Sequence, residues 1–160
     1  MKTLSINPAF VTGLDEIDLQ HAFFVDLLAR LTPALRNSKS LPRQVRLLQE
    51  IQLFAAFHFH SEENLYREHG LSDHQLTHHQ KRHGELLGAL NHYIFQLEQE
   101  KETVESILAV LGDWFAFHAV EEDGYAVTTL FSQQAEAESR NQTNMLSLSL
   151  QSFDPDDPFG

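Results

Sequence analysis

The sequence predicts an all-α protein, an up-down-up-down antiparallel four-helix bundle. Three observations carry this reading. Apolar residues recur in steps of three and four along four separate stretches, the period of an amphipathic helix. Short polar turns separate the stretches, so consecutive helices fold back on one another. The length, 160 residues, suits one domain with a single core.

Residues 1–14 read as irregular, punctuated by Pro8 and Gly13, with Phe10, Val11 and Leu14 covering one end of the core. Asp15 or Asp18 is placed to cap the first helix. Its stripe is Ile17, His21, Phe24, Leu28, Leu31 and Leu35, and Pro33 predicts a kink or an end near Leu31. After a turn at residues 37–40, Pro42 suits the first turn of a second helix, which runs to about His69 and stops at Gly70. That helix carries Val45, Leu48, Ile51, Phe54, His58, Glu62 and Leu65 on one line. Ser72-Asp73 caps a third helix with the stripe Leu76, His79, His83, Leu86 or Leu87, Leu90, Ile94 and Leu97.

Residues 98–102 form a polar break. The fourth helix aligns Val104, Leu108, Leu111, Phe115, His118 and Glu122. Asp123 lies five residues after His118, about 140° away on an ideal helix. Either its side chain reaches around, or a π-bulge adds a residue. The bundle thus takes residues 1–131. Residues 132–160 read as a polar tail or linker, and its Asp154-Pro155-Asp156-Asp157-Pro158 end cannot be regular helix.

Composition narrows the function. Eleven Lys and Arg against 23 Asp and Glu give a net charge of −12. That argues against nucleic acid or an anionic membrane as partner, since both select a basic face. The absence of cysteine excludes disulfides, thiolate metal sites and Cys nucleophiles. No stretch is long enough to span a bilayer, and the start has no signal-like apolar region, so a cytoplasmic location is expected.

The stripes themselves hold the anomaly. His21, His58, Glu62, His79, His83 and His118 sit inside lines of apolar residues, with Asp123 close by. A carboxylate or an unpaired imidazole in a core is costly unless paired or bound to metal. Each group lies partway along its helix, so antiparallel packing brings all seven together. Five imidazoles and two carboxylates exceed the needs of one tetrahedral zinc and are too nitrogen-rich for calcium or magnesium. Two six-coordinate iron ions, bridged by both carboxylates, fit best. A ferritin-like di-iron site is excluded, because no His has Glu three residues before it. Few carboxylates and many imidazoles favour reversible binding over oxidation chemistry.

Four motifs, Asp18-Leu19-Gln20-His21, His58-Phe59-x-x-Glu62-Glu63-x-Leu65, His79-x-x-x-His83-x-x-Leu86 and Trp114-x-x-x-His118-x-x-x-x-Asp123, resemble those of bacterial hemerythrins over roughly residues 10–131. The resemblance implies a di-iron bundle that binds dioxygen reversibly and is not itself an enzyme, with a di-iron peroxide or nitric-oxide reductase as an alternative. It implies that His79, His83 and His118 hold one iron and that His21 and His58 hold the other. Glu62 and Asp123 would bridge, and dioxygen would take the open position. It also implies a possible fused or partner signalling domain, such as a diguanylate cyclase, for which this domain would sense oxygen or redox state.

His74 and His78 share the His-x-x-x-His spacing, but Leu76, Leu86 and Leu90 lie on the face of His79 and His83, which selects the latter pair. His60, His69, His74, His78 and His92 read as exposed or as neighbours of the ligands rather than ligands, and Glu63 as solvated or as a hydrogen-bond partner that orients a ligand histidine. Trp114 and Phe115 read as core packing around the site, with Phe24, Phe54 and Phe117 as candidate walls of a dioxygen pocket.

Overall fold

The computed structural model describes residues 7–151, and side chains through residue 148; the expectations for residues 1–6 and 152–160 lie outside the described residues. Among the described residues there is no strand. A short 3₁₀ turn, Pro8–Phe10, precedes α1 (Asp15–Asn37), α2 (Leu41–Glu68) and α3 (Asp73–Glu98). The last rod is unbroken but changes pitch. It comprises α4 (Val104–Phe117), a π-helical segment (His118–Asp123) and α5 (Gly124–Gln151). The chain is therefore a four-helix bundle, with α2 packed between α1 and α3, and α1 against α4.

Short-range chemistry sets the helix ends. The hydroxyls of Ser40, Ser72 and Thr103 accept hydrogen bonds from the backbone N–H groups of Arg43, Gln75 and Ser106. Gly70, at φ +84°, closes α2, and the Leu71 N–H reaches back to the Tyr66 carbonyl at 2.9 Å. Neither Asp15 nor Asp18 is the N-cap of α1. Leu14 holds that position without a side-chain bond. Asp18 instead reaches back over the preceding loop, accepting from the N–H of Thr12 at 2.6 Å, its hydroxyl at 2.7 Å and the Gly13 N–H at 3.0 Å. Gly13 is required there, because φ is +95° and a Cβ would lie 3.1 Å from the Phe131 ring.

Two expectations need correction. The early end offered for Pro33 does not occur, and α1 continues to Asn37. Pro33 and Ala29 are both exposed, so water can serve the carbonyl that Pro33 leaves without a donor. Beyond it, fully buried Leu35 and a two-pronged Arg36–Glu105 pair, at 2.7 and 3.2 Å, anchor the last turn. Val11 is about half exposed and covers nothing, whereas Phe10 and Leu14 do pack against the core.

The core is two apolar clusters with a polar layer between them. One contains Phe24, Leu48, Ile51, Leu90, Ile107 and Phe115; the other contains Ile17, Leu65, Tyr66, Leu76, Val127 and Leu130. Along α1 the order is Ile17, His21, Phe24, and along α2 it reverses to Phe59, Glu62, Leu65. It reverses again along α3 as Leu76, His79, His83, Leu86, and once more through Phe115, His118, Asp123, Ala126. This alternation is the up-down-up-down topology.

Beyond Leu130 every described side chain, from Phe131 to Leu148, is exposed, and yet the backbone stays helical to Gln151. The polar tail is thus a projecting helix over its described part. Removing residues 132–160 should move the thermal midpoint of unfolding by no more than about 2 °C, as expected for loss of exposed side chains alone.

Candidate metal centre

Among the described residues, the buried polar or charged side chains are His21, His58, Glu62, His79, His83, His118 and Asp123. His21, Glu62, His118 and Asp123 are wholly inaccessible. Candidate ligand atoms of His58, Glu62, His118 and Asp123 lie within 4.8 Å of one another, as do those of Glu62, His79 and His83. Glu62 belongs to both groups and sits at the middle of the layer. His74 and His78, the alternative pair, are exposed.

The π-helical segment solves the five-residue spacing. Its wider turn carries Asp123 round to the side of His118, and His118 Nε2 lies 3.0 Å from Asp123 Oδ2. The same oxygen is 2.9 Å from His21 Nε2. Glu62 Oε2 is 3.2 Å from His118 Nε2 and 3.4 Å from the Nε2 atoms of both His58 and His83.

The other ring nitrogen of three of the histidines explains this arrangement. His21 Nδ1 donates to the Phe10 carbonyl at 3.0 Å. His58 Nδ1 donates to Gln20 Oε1 at 2.7 Å, and the Gln20 amide is held in turn by the Ser61 hydroxyl at 2.8 Å. His83 Nδ1 donates to Glu63 Oε1 at 2.9 Å, so Glu63 is not merely solvated. In these three rings the N–H points outward, which leaves an Nε2 lone pair facing inward unless the ring is doubly protonated. Lone pairs on His58 and His83 then face a carboxylate oxygen with no proton between them, and both Nε2 atoms lack a hydrogen-bond partner. An array of nitrogen and oxygen donors, each aimed at the others and short of a cation, fits a metal centre.

Aromatic rings complete the shell. Phe59 stacks on His83 at 4.1 Å and Trp114 on His118 at 4.6 Å, while Phe115 meets His21 edge-on at 5.6 Å. Phe24 and Phe54 stack on each other at 5.6 Å. Phe117, expected among the pocket walls, is half exposed and lines an outer cleft together with His79. Tyr66 was not among the expected site residues. Its fully buried hydroxyl lies 2.7 Å from Glu62 Oε1 and 2.9 Å from Asp123 Oδ1, and can donate its proton to either. The signal was present in the sequence, since Tyr66 follows Glu62 by one helical turn.

The family model for the hemerythrin HHE cation-binding domain matches residues 12–130. The chain belongs to this family. No curated protein matches it. The hemerythrin match begins at the loop that Asp18 ties down and ends where the last side chain of the core, Leu130, is buried.

Protonation in the hemerythrin domain follows from burial and from the two carboxylates. Burial opposes charge on His118, but Asp123 and Glu62 outweigh it and raise its pKa well above the ordinary value. His21 is raised in the same way, Asp123 outweighing burial. For His58 and His83 burial dominates, and their pKa values fall to about 3 and about 4. Burial also lifts the Tyr66 phenol, with the charge of Glu62 adding to it, so the hydroxyl keeps its proton and remains a donor.

Two outcomes are expected for the metal-free chain. His58 and His83 stay neutral when folded but bind protons near pH 6.5 when unfolded. Their contribution to stability is therefore present above about pH 6.5 and is lost as pH falls toward 4, which urea unfolding at a series of pH values will register. Tyr66→Phe removes a donor from a buried carboxylate pair and should cost about 1–3 kcal/mol in the same assay at pH 7.

Proposed function

We propose that the polar layer holds two non-haem iron ions and that the domain binds dioxygen reversibly, in the cytoplasm, for oxygen sensing, storage or delivery. The observation that carries this reading is the inward Nε2 donors converging on Glu62 and Asp123, all sealed from water. Five imidazoles and two carboxylates suit a pair of borderline divalent ions better than a single zinc. His79, His83 and His118 would hold one iron, His21 and His58 the other, and Glu62 and Asp123 would lie between them. The chemistry such a pair supplies when bound is reversible electron exchange with dioxygen.

The protein's own part is to position and to exclude. Phe10, Gln20 and Glu63 hold the outward nitrogens of three rings and so fix the planes of their inward lone pairs. Phe59, Trp114 and Phe115 cover the rings and keep bulk water out. The domain on this reading turns over no substrate.

A sensor role is the second reading, and α5 favours it. The π-helical segment that bears His118 and Asp123 runs without a break into a helix whose described side chains beyond Leu130 are all exposed. Such a rod is suited to join the layer to a fused or partner signalling domain.

The chain reduced without oxygen should contain about two irons per molecule and should gain a visible absorption band in air. The band should disappear when oxygen is removed and return on re-exposure. A one-way change would instead point to a redox sensor or an oxidase, and one iron or none would sink the two-iron reading. His118→Ala should lower iron content and thermal stability together.

A further inference from the structure

A cavity of about 490 Å³ opens between the start of α3 and the junction of α4, the π-helical segment and α5. Its mouth carries His74 and His78, one turn apart on α3, with Glu121 across from them; all three are exposed. Its inner wall carries Gln75, His79 and Glu122. The floor of this cavity is chemically unfinished. Gln75 Oε1, both carboxylate oxygens of Glu122 and His79 Nδ1 are buried and without a hydrogen-bond partner. The Glu122 side chain is only 8% exposed. Two cationic or polar neighbours, Arg82 Nε at 3.5 Å and His118 Nδ1 at 3.9 Å, approach one of its oxygens, but neither makes a hydrogen bond. Buried oxygens left in this state call for a donor or a cation.

His79 makes the cavity more than a surface cleft. It lines the inner wall, and a ligand atom of the same ring lies within 4.8 Å of those of Glu62 and His83. A second cavity, of about 350 Å³, also reaches a buried histidine, His83. There the outward nitrogen is already occupied by Glu63 at 2.9 Å. The cavity at His79 ends on unoccupied donors. Imidazoles and a carboxylate at the mouth, then carboxylate, amide and imidazole within, form a graded set of nitrogen and oxygen donors. Such a set suits a first-row divalent cation that exchanges bound water stepwise for protein groups.

We propose that this cavity is the entry site through which a divalent cation reaches the buried layer, with His74, His78 and Glu121 capturing the ion and Glu122 passing it to His79. The inference rests on the reading of the layer as a metal centre. It gives the second His-x-x-x-His pair a task that the centre itself does not.

The test is the rate of loading of the full, metal-stripped chain with cobalt(II) alone, followed without oxygen by the visible bands of the bound ion. Combining His74→Ala, His78→Ala and Glu121→Gln changes only exposed side chains. The triple variant should take up cobalt about tenfold more slowly, yet reach the same final occupancy as the parent. His92→Ala, which removes an exposed imidazole on the same helix away from the cavity, should load at the parent rate. An unchanged rate in the triple variant would overturn the entry site. So would a lower final occupancy in the folded variant, which would make these residues ligands of the centre itself. A parent chain that takes up no cobalt would overturn the reading of the layer first, and the entry site with it.

Discussion

Everything in this bundle answers to one constraint: two carboxylates and five imidazoles share a layer almost closed to water. Each ion removed from water costs several kcal/mol even after the protein relaxes around it. The fold meets part of that cost with specific partners and leaves the Nε2 atoms of His58 and His83 without one. Carboxylate oxygens meet Nε2 atoms and the Tyr66 hydroxyl, and outward nitrogens meet a backbone carbonyl, an amide and a carboxylate. Two apolar clusters close the layer from either side, so the same residues that bury the site also hold the helices together. Stability and chemistry are coupled in one set of side chains.

The aromatic rings join these two tasks. Phe59 belongs to an apolar cluster and at the same time lies flat on His83; Trp114 packs beside that cluster and lies flat on His118. Such rings add dispersion contacts to a group whose polar edge is already committed. They also leave the imidazoles little freedom to turn away from the layer. Orientation of the donors is thus built by packing as much as by hydrogen bonds.

Much of this was legible in the sequence because the informative signals are local and periodic. Helix bounds could be read from Pro42, Ser72 and Gly70, while the caps at Ser40 and Thr103, whose bonds span only three residues, were not singled out. The seven buried polar groups were legible because each interrupts an apolar stripe, or sits beside one. What escaped lacks such a mark. The Phe10 carbonyl is backbone and has no side-chain signature. Gln20 stands off the stripes, where a polar residue is unremarkable, whereas the orienting role open to Glu63 in the sequence is the one it takes at His83. Tyr66 on a stripe reads as ordinary core until its hydroxyl is seen between two carboxylates. On the fourth helix, Ile107 is fully buried and Leu108 only partly, since both flank one face and sequence alone does not rank them. The helix beyond Phe131 has no stripe because it has nothing to pack against, and periodicity is silent there.

The wide turn at His118–Asp123 also sets a phase. An α-helix advances about 100° per residue. The extra residue taken up in that turn therefore rotates all of Gly124–Gln151 relative to Val104–Phe117 by about that angle. Ala126, Val127 and Leu130 face the second cluster only because of this offset, just as Ile107, Leu111 and Phe115 face the first. Were the same residues to relax to ordinary α-helix, the second set would swing off the core and Asp123 off the layer in a single movement. The segment is thus tolerant of changes in side chain at its exposed positions but not of a change in pitch, and its pitch is shared property of the site and of the second apolar cluster.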